Sequence, residues 1–285
     1  MTTLNRGATA VVDVLFYPLA WLSPLVGLAV VALVTAILAL WVVKRTSDQA
    51  RLRAAKNGMY AALLEMRLFN DDLAAILRAQ GAVIASNARY LRASLVPILW
   101  LIVPFGLLVV HLESYYAYRG LTPNEPALVT AHVRPGAPGV AGAPGAPAAA
   151  TTEPLTLEAP PGIRADTPAV WFPSSGEVVW RVVPEAAGEY TIRIRQGSAT
   201  LTKTVVVSDA VRRRSTVRPA VSWIDQIEYP SEPPLPADGH VDAITIGYPP
   251  RELTIFGWRT PWIVIYGALT VLFGLALGRV LRVEL

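Results

Sequence analysis

The stretch Pro24-Leu-Val-Gly-Leu-Ala-Val-Val-Ala-Leu-Val-Thr-Ala-Ile-Leu-Ala-Leu-Trp-Val-Val43, stopped by Lys44-Arg45, decides the architecture of this chain. It carries no charge, and an α-helix needs about 20 apolar residues to cross the hydrocarbon core of a bilayer. The uncharged run begins earlier, at Val14, but Pro18 and Pro24 interrupt it. Residues 1–23 therefore read as an external N-terminus with an interfacial lead-in, and residues 24–43 as the first span. Trp21 and Trp41 stand near its two ends, at the headgroup level that amphipathic rings prefer. A cleaved signal peptide fits poorly, because the apolar run is too long, Met1–Asp13 has no net charge, and Lys44-Arg45 follow at once.

Two further runs repeat the pattern. Residues 93–112 are uncharged apart from His111, and Pro97 and Pro104 within them are tolerable in a bilayer when neighbouring groups satisfy the freed carbonyls. Tyr115, Tyr116 and Tyr118 follow as an interfacial belt. The third span, 258–278, opens with Trp258 and Trp262 and is closed by Arg279 and Arg282, which leaves 279–285 as a tail. The whole 285-residue chain agrees: 53% of it is apolar and 16% charged, against about 25% charged in ordinary soluble domains.

Charge sets the expected orientation. Residues 44–92 hold nine Lys/Arg against four Asp/Glu, whereas Glu113–Trp258 holds twelve against fifteen. Short basic loops stay in the cytoplasm, and long segments cross regardless of charge. Residues 44–92 and the C-terminus are thus expected inside, and the N-terminus and 113–257 outside.

Residues 44–92 lack proline and are rich in Ala, Leu, Arg and Met, a helical composition. Apolar residues at Leu52, Ala55, Met59, Ala62, Met66 and Phe69 step by threes and fours, the seam of a helix packed on another helix. Asn70-Asp71-Asp72 favours a turn, and a second seam follows at Leu73, Ile76, Val83 and Tyr90. The expectation is an antiparallel coiled-coil hairpin whose second arm runs on into the second span. Such a basic hairpin is open to several readings: a spacer, or a contact for lipid headgroups, ribosomal RNA or a partner protein.

Outside, a segment 113–150 holds the expected strand Ala127–Val133 and then Gly136-Ala-Pro-Gly-Val-Ala-Gly-Ala-Pro-Gly-Ala-Pro147. Its glycine period is that of collagen, but it is too short for a triple helix and reads as a flexible linker. Within 151–257, alternating β-branched and aromatic residues mark strands at 178–182, 190–195, 200–207 and 241–248. Gly188-Glu189-Tyr190, opening a strand, resembles the corner of an immunoglobulin-like sandwich. The basic run Arg212-Arg213-Arg214 reads as a solvated loop or as a phosphate or lipid contact.

No chemistry-bearing constellation appears. There is no cysteine, and the three histidines (His111, His132 and His240) show no metal-ligand spacing. No nucleotide-binding glycine loop or Ser-His-Asp order is present, and Asp71-Asp72 is explained as helix capping. The expectation is a non-enzyme with no catalytic residue, no metal and no cofactor, and without DNA as a partner. The fold class is membrane α-helical, with three spans, a cytoplasmic hairpin and an inserted all-β, immunoglobulin-like exported domain.

The residues that carry a family resemblance lie between Lys44 and Leu112. They are Lys56-Asn-Gly-Met-Tyr-Ala-Ala-Leu-Leu-Glu-Met-Arg-Leu-Phe-Asn-Asp-Asp72, Asn87-Ala-Arg-Tyr-Leu-Arg92 and Leu95-Val-Pro-Ile-Leu-Trp-Leu-Ile-Val-Pro-Phe105. Together with the order of spans, they resemble the core of the YidC/Oxa/Get membrane-insertase superfamily, including its three-span branches. The resemblance covers about 14–112 and 258–282 and is mainly architectural. It implies a protein of the bacterial inner membrane that assists the integration or assembly of membrane proteins by lowering the cost of moving polar groups into lipid. It further implies client or partner contacts at Met59, Leu63, Met66 and Phe69, and a groove lined by Thr35, Ser94, Trp100 and Thr270. The partners implied are membrane lipid, nascent membrane proteins or the ribosome. This chain departs from the bacterial insertases in having no Lys or Arg within its apolar runs, 14–43, 93–112 and 260–278, and in its large exported domain. The alternative is a non-enzymatic anchor or assembly subunit whose β domain binds an envelope partner.

Overall fold

The computed structural model describes residues 7, 14, 16–17, 21–46, 49–68, 73–134, 155–220, 222–236, 239–255 and 257–281. The linker 136–147 and the turn at Asn70-Asp71-Asp72 lie outside them. The chain divides into two compact units, one of residues 28–107 with 263–285, the other of residues 1–27 with 108–262.

The first unit is helical. Helices α1 (Pro24–Thr46), α2 (Gln49–Leu68) and α3 (Leu73–Tyr116) precede the β-rich unit. A short α4 (Trp223–Glu228) lies within that unit, and α5 (Trp262–Leu281) follows it. Among the described residues, three segments are long and apolar enough to cross a membrane: Pro24–Thr46, Pro97–Tyr116 and Trp262–Val280. That is the build of a membrane protein. α3 continues through Pro97 and Pro104 for 44 residues, about 66 Å at 1.5 Å per residue. Lys44 and Arg45 in the last turn of α1 and Arg279 near the end of α5 suit the negative pole of the helix dipole.

α2 and the first half of α3 approach one another at Gly58 and Ser86. Ala55 and Ala62 on α2 and Ala79 and Ser86 on α3 are buried, each pair seven residues apart. A Cβ placed on Gly58 would lie 3.0 Å from the Ser86 hydroxyl, and the Lys56 ammonium stands 5.7 Å from the centre of the Tyr90 ring. Met59, Met66, Ile76, Val83 and Tyr90 are half-buried beside these residues.

The second unit is rich in antiparallel β-sheet. One sheet runs in the order β3 (Ile163–Ala165), β5 (Glu177–Pro184), β1 (Ala127–Val133), β9 (Val241–Ile246) and β8 (Val217–Pro219), with β4 (Val170–Phe172) also paired to β5. The other is β2 (Thr156–Glu158), β6 (Gly188–Gln196) and β7 (Ala199–Val207). Both sheets feed one apolar core: Val129, Trp180, Val182 and Ile244 from the first, Ile192, Ile194, Leu201 and Val205 from the second. A separate hairpin of β10 (Glu252–Ile255) and β11 (Trp258–Pro261) leads into α5.

Tyr190 closes one corner of this unit. Its hydroxyl donates to the Ala186 carbonyl at 3.0 Å. The ring lies against Gly162, where φ is +96° and a Cβ would overlap the ring. Glycine is needed there twice over, for the backbone angle and for the space.

The exit from α3 is knitted into the sheets. The Arg251 amide donates to the Ala117 carbonyl (2.8 Å), the Arg119 amide to Pro249 (3.0 Å) and the Leu121 amide to Val206 (3.3 Å). Gly120 packs so closely on the Ser208 carbonyl that any Cβ would overlap it.

Candidate functional site

Polar groups in an apolar span are costly unless they are satisfied within the protein, which makes them the first candidates for function. Among the described residues, the helical unit holds such a cluster. Tyr266 on α5 donates its hydroxyl to Thr35 Oγ1 on α1 at 3.1 Å, and Thr35 in turn donates to the Val31 carbonyl at 2.8 Å. One turn along α5, Thr270 donates to the Tyr266 carbonyl at 2.8 Å. Phe105 of α3 stacks against the Tyr266 ring, with centroids 6.0 Å apart and planes at 25°. Thr35 and Tyr266 are both buried. Three helices thus meet at one tyrosine.

Two of the four groove residues named from the sequence, Thr35 and Thr270, come together at this cluster. Trp100 does not join them; its side chain is largely exposed. Ser94 lies in α3, and its side chain is outside the described residues. Tyr266 was not singled out by sequence, because one tyrosine in an apolar helix is unremarkable. The available signal was its spacing from Thr270, four residues along the same helical face.

The span part of α3 shows a broad apolar face that none of the described elements covers. Leu95, Ile98, Leu99, Trp100, Ile102 and Val103 are each at least half exposed. On α2, Leu63 is exposed while Met59 and Met66 are half-buried; Phe69 lies outside the described residues.

The β-rich unit holds a second buried polar cluster, which sequence reading missed. The Lys203 ammonium is fully enclosed, 2.5 Å from Glu232 Oε2 and 2.6 Å from Ser215 Oγ. Glu232 also accepts from the Thr204 amide at 2.7 Å and from the Ser215 hydroxyl at 2.6 Å. Burial pushes the lysine down to about 8, against the pull of Glu232. Burial also acts to raise the Glu232 carboxyl, but Lys203 and the hydrogen bonds outweigh it and hold the group below its ordinary value. All members have partners, so the cluster is a closed ion pair that braces the loops around β7. Among the described residues no group of three or more His, Asp or Glu side chains could hold a metal ion.

No family model, curated protein or solved structure matches the chain.

Proposed function

We propose that this protein is a membrane chaperone of the insertase type, a divergent relative of the YidC/Oxa/Get superfamily that assists integration or assembly of other membrane proteins. The observation that carries the reading is the uncovered face of the α3 span. A helix that offers six large apolar and aromatic side chains to lipid can equally receive the apolar flank of a client helix. The Thr35–Tyr266 pair, which meets α3 at Phe105, supplies hydroxyls that can exchange partners with a client's polar group. In this reading α2 and the start of α3 form a cytoplasmic antiparallel hairpin. It is supported by the close contacts of Gly58 with Ser86 and of Lys56 with Tyr90, whose order along the two helices is reversed.

The exported unit reads as an immunoglobulin-like sandwich. Immunoglobulin constant domains arrange strands ABED in one sheet and CFG in the other. Here β9-β1-β5-β3 and β2-β6-β7 reproduce that order, with β9 from the end of the domain taking the place of strand A. Tyr190, at the start of the strand in the F position, makes the backward hydrogen bond typical of that corner.

The test is photocrosslinking in cells from a probe at Trp100. Crosslinks to many newly made membrane proteins, lost when translation stops, are the expected result. A single fixed partner that persists without translation would overturn the reading in favour of an anchor or assembly subunit. That second reading is favoured by Leu128, Val170 and Phe172, apolar side chains exposed on the larger sheet. Under it, F172D abolishes function; under the first, F172D leaves crosslinking from Trp100 intact.

A further inference from the structure

The basic run Arg212-Arg213-Arg214 plays no part in the function proposed above, yet two of its members line a cavity of about 610 Å³. That volume lies within the roughly 300–1,000 Å³ of small-ligand clefts. One wall comes from the residues just ahead of α1 and from the last turn of α3. Phe16 stacks on Tyr115 with centroids 4.6 Å apart and planes at 26°, and both are buried. Tyr17 and Trp21 form the outer rim and are 72% and 85% exposed. α1 enters its apolar run at Pro24, and the apolar run of α3 ends at Tyr115-Tyr116. Rings with an apolar body and a polar tip, at the ends of two spans, mark headgroup height.

The facing wall is the loop that carries Arg212 and Arg213. It is wound around the guanidinium of Arg214, which is almost fully buried. Arg214 Nη2 donates to the carbonyls of Ser208 (2.9 Å) and Ala210 (2.6 Å), and Nη1 donates to Arg212 (3.0 Å) and Tyr118 (3.2 Å). A loop closed on its own arginine presents the two preceding cations in a defined place. Glu189 also lines the cavity, so among its described lining residues two arginines stand beside one carboxylate.

We propose that this cavity binds the headgroup of an anionic phospholipid, with Arg212 and Arg213 on its phosphate and Tyr17 and Trp21 flanking the glycerol region. Guanidinium groups match phosphate oxygens in both geometry and charge. A free phosphate ion shares that chemistry but has no use for an apolar aromatic rim at the membrane surface, and the rim decides for lipid. The site stands independently of the chaperone reading.

The experiment is native mass spectrometry of the full chain in mild detergent, titrated with phosphatidylglycerol or phosphatidylcholine. Phosphatidylglycerol is expected to be retained in preference to phosphatidylcholine. R212Q/R213Q is expected to weaken that retention roughly fivefold for each cation removed. R212K/R213K, which keeps the charge, is expected to retain most of it, and R53Q/R67Q on α2 to change nothing. Equal retention of the two lipids, or undiminished phosphatidylglycerol on R212Q/R213Q, overturns the proposal. Displacement of the lipid by excess inorganic phosphate also overturns it, because the site would then belong to the free ion.

Discussion

Lys203 sits on β7 in phase with Leu201, Val205 and Val207, so the strand carries its ammonium into the core of the β-rich unit. Removing one member of a buried ion pair leaves the other uncompensated, at a cost of roughly 3–5 kcal/mol, whereas replacing both can be nearly neutral. K203M is therefore expected to destabilise the unit by that amount, and K203M/E232M by much less. Thermal unfolding of the full chain followed by near-UV circular dichroism distinguishes the two, and equal losses would count against an ion-pair role. A second residue-scale prediction concerns Glu125. Its hydrogen bond from Arg119, at 2.5 Å, pulls the carboxyl down to about 2; burial opposes this, and Thr122 adds further bonds. A carboxyl depressed in the folded state contributes stability that is present above its unfolded value near 4.5 and is lost as pH falls toward 2. The unfolding temperature of wild type should fall across that window, and E125Q should flatten part of the fall. An identical slope in both would show that Glu125 does not contribute.

At the scale of elements, the contact between α1 and α5 includes the side-chain hydrogen bond from Tyr266 to Thr35 as well as packing. Such bonds in membrane helix bundles average about 0.6 kcal/mol and reach about 1.7. Y266F keeps the ring against Phe105 and removes only the hydroxyl, so a loss within that range is expected in unfolding by denaturing detergent. A much larger loss would mean that the hydroxyl does more than join two helices. The pairing of α2 with α3 is tested differently. Gly58 leaves room for a Cβ only if Ser86 gives way, so G58L should push the two helices apart, read as a longer spin-label distance between positions 60 and 84. The seam read from the sequence of α2 includes Ala55 and Ala62, which are buried, and Met59 and Met66, which are half-buried, whereas Ala79 and Ser86 on α3 are buried without being part of the seam read there. Small side chains let backbones approach, and close approach hides them first.

For the whole molecule, the alternation of three apolar segments with one basic helical stretch and one β-rich insertion makes a topological prediction. Because the chain has no cysteine, single-cysteine variants label cleanly. R67C on α2 and E185C after β5 should react with a membrane-impermeant maleimide from opposite sides of a sealed membrane. R67C from the cytoplasmic side and E185C from the outside is the expected pattern; reaction of both from one side would remove the orientation. The extent of the β-rich unit was legible only in part. β1, β5, β6, β7 and β9 carry enough alternating residues to announce themselves, while β2, β3, β4 and β8 are three residues each, too short for any period to appear. Those short strands owe their place to partners that the long ones provide.

The sequence by itself determined where this chain is able to enter a bilayer. The reason is local: an uncharged run of about 20 residues satisfies its own backbone as a helix and loses little in lipid. It also named Thr35 and Thr270, since hydroxyls are conspicuous among Leu, Val and Ala. Only the tertiary structure decided that both converge on Tyr266, that Lys203 finds Glu232 across 29 residues, and that Arg214 folds its loop so that Arg212 and Arg213 face Tyr17 and Trp21. Each of these depends on side chains distant in sequence meeting in a place of low polarity, where the energy of the contact is set by what surrounds it and not by the residues that precede and follow.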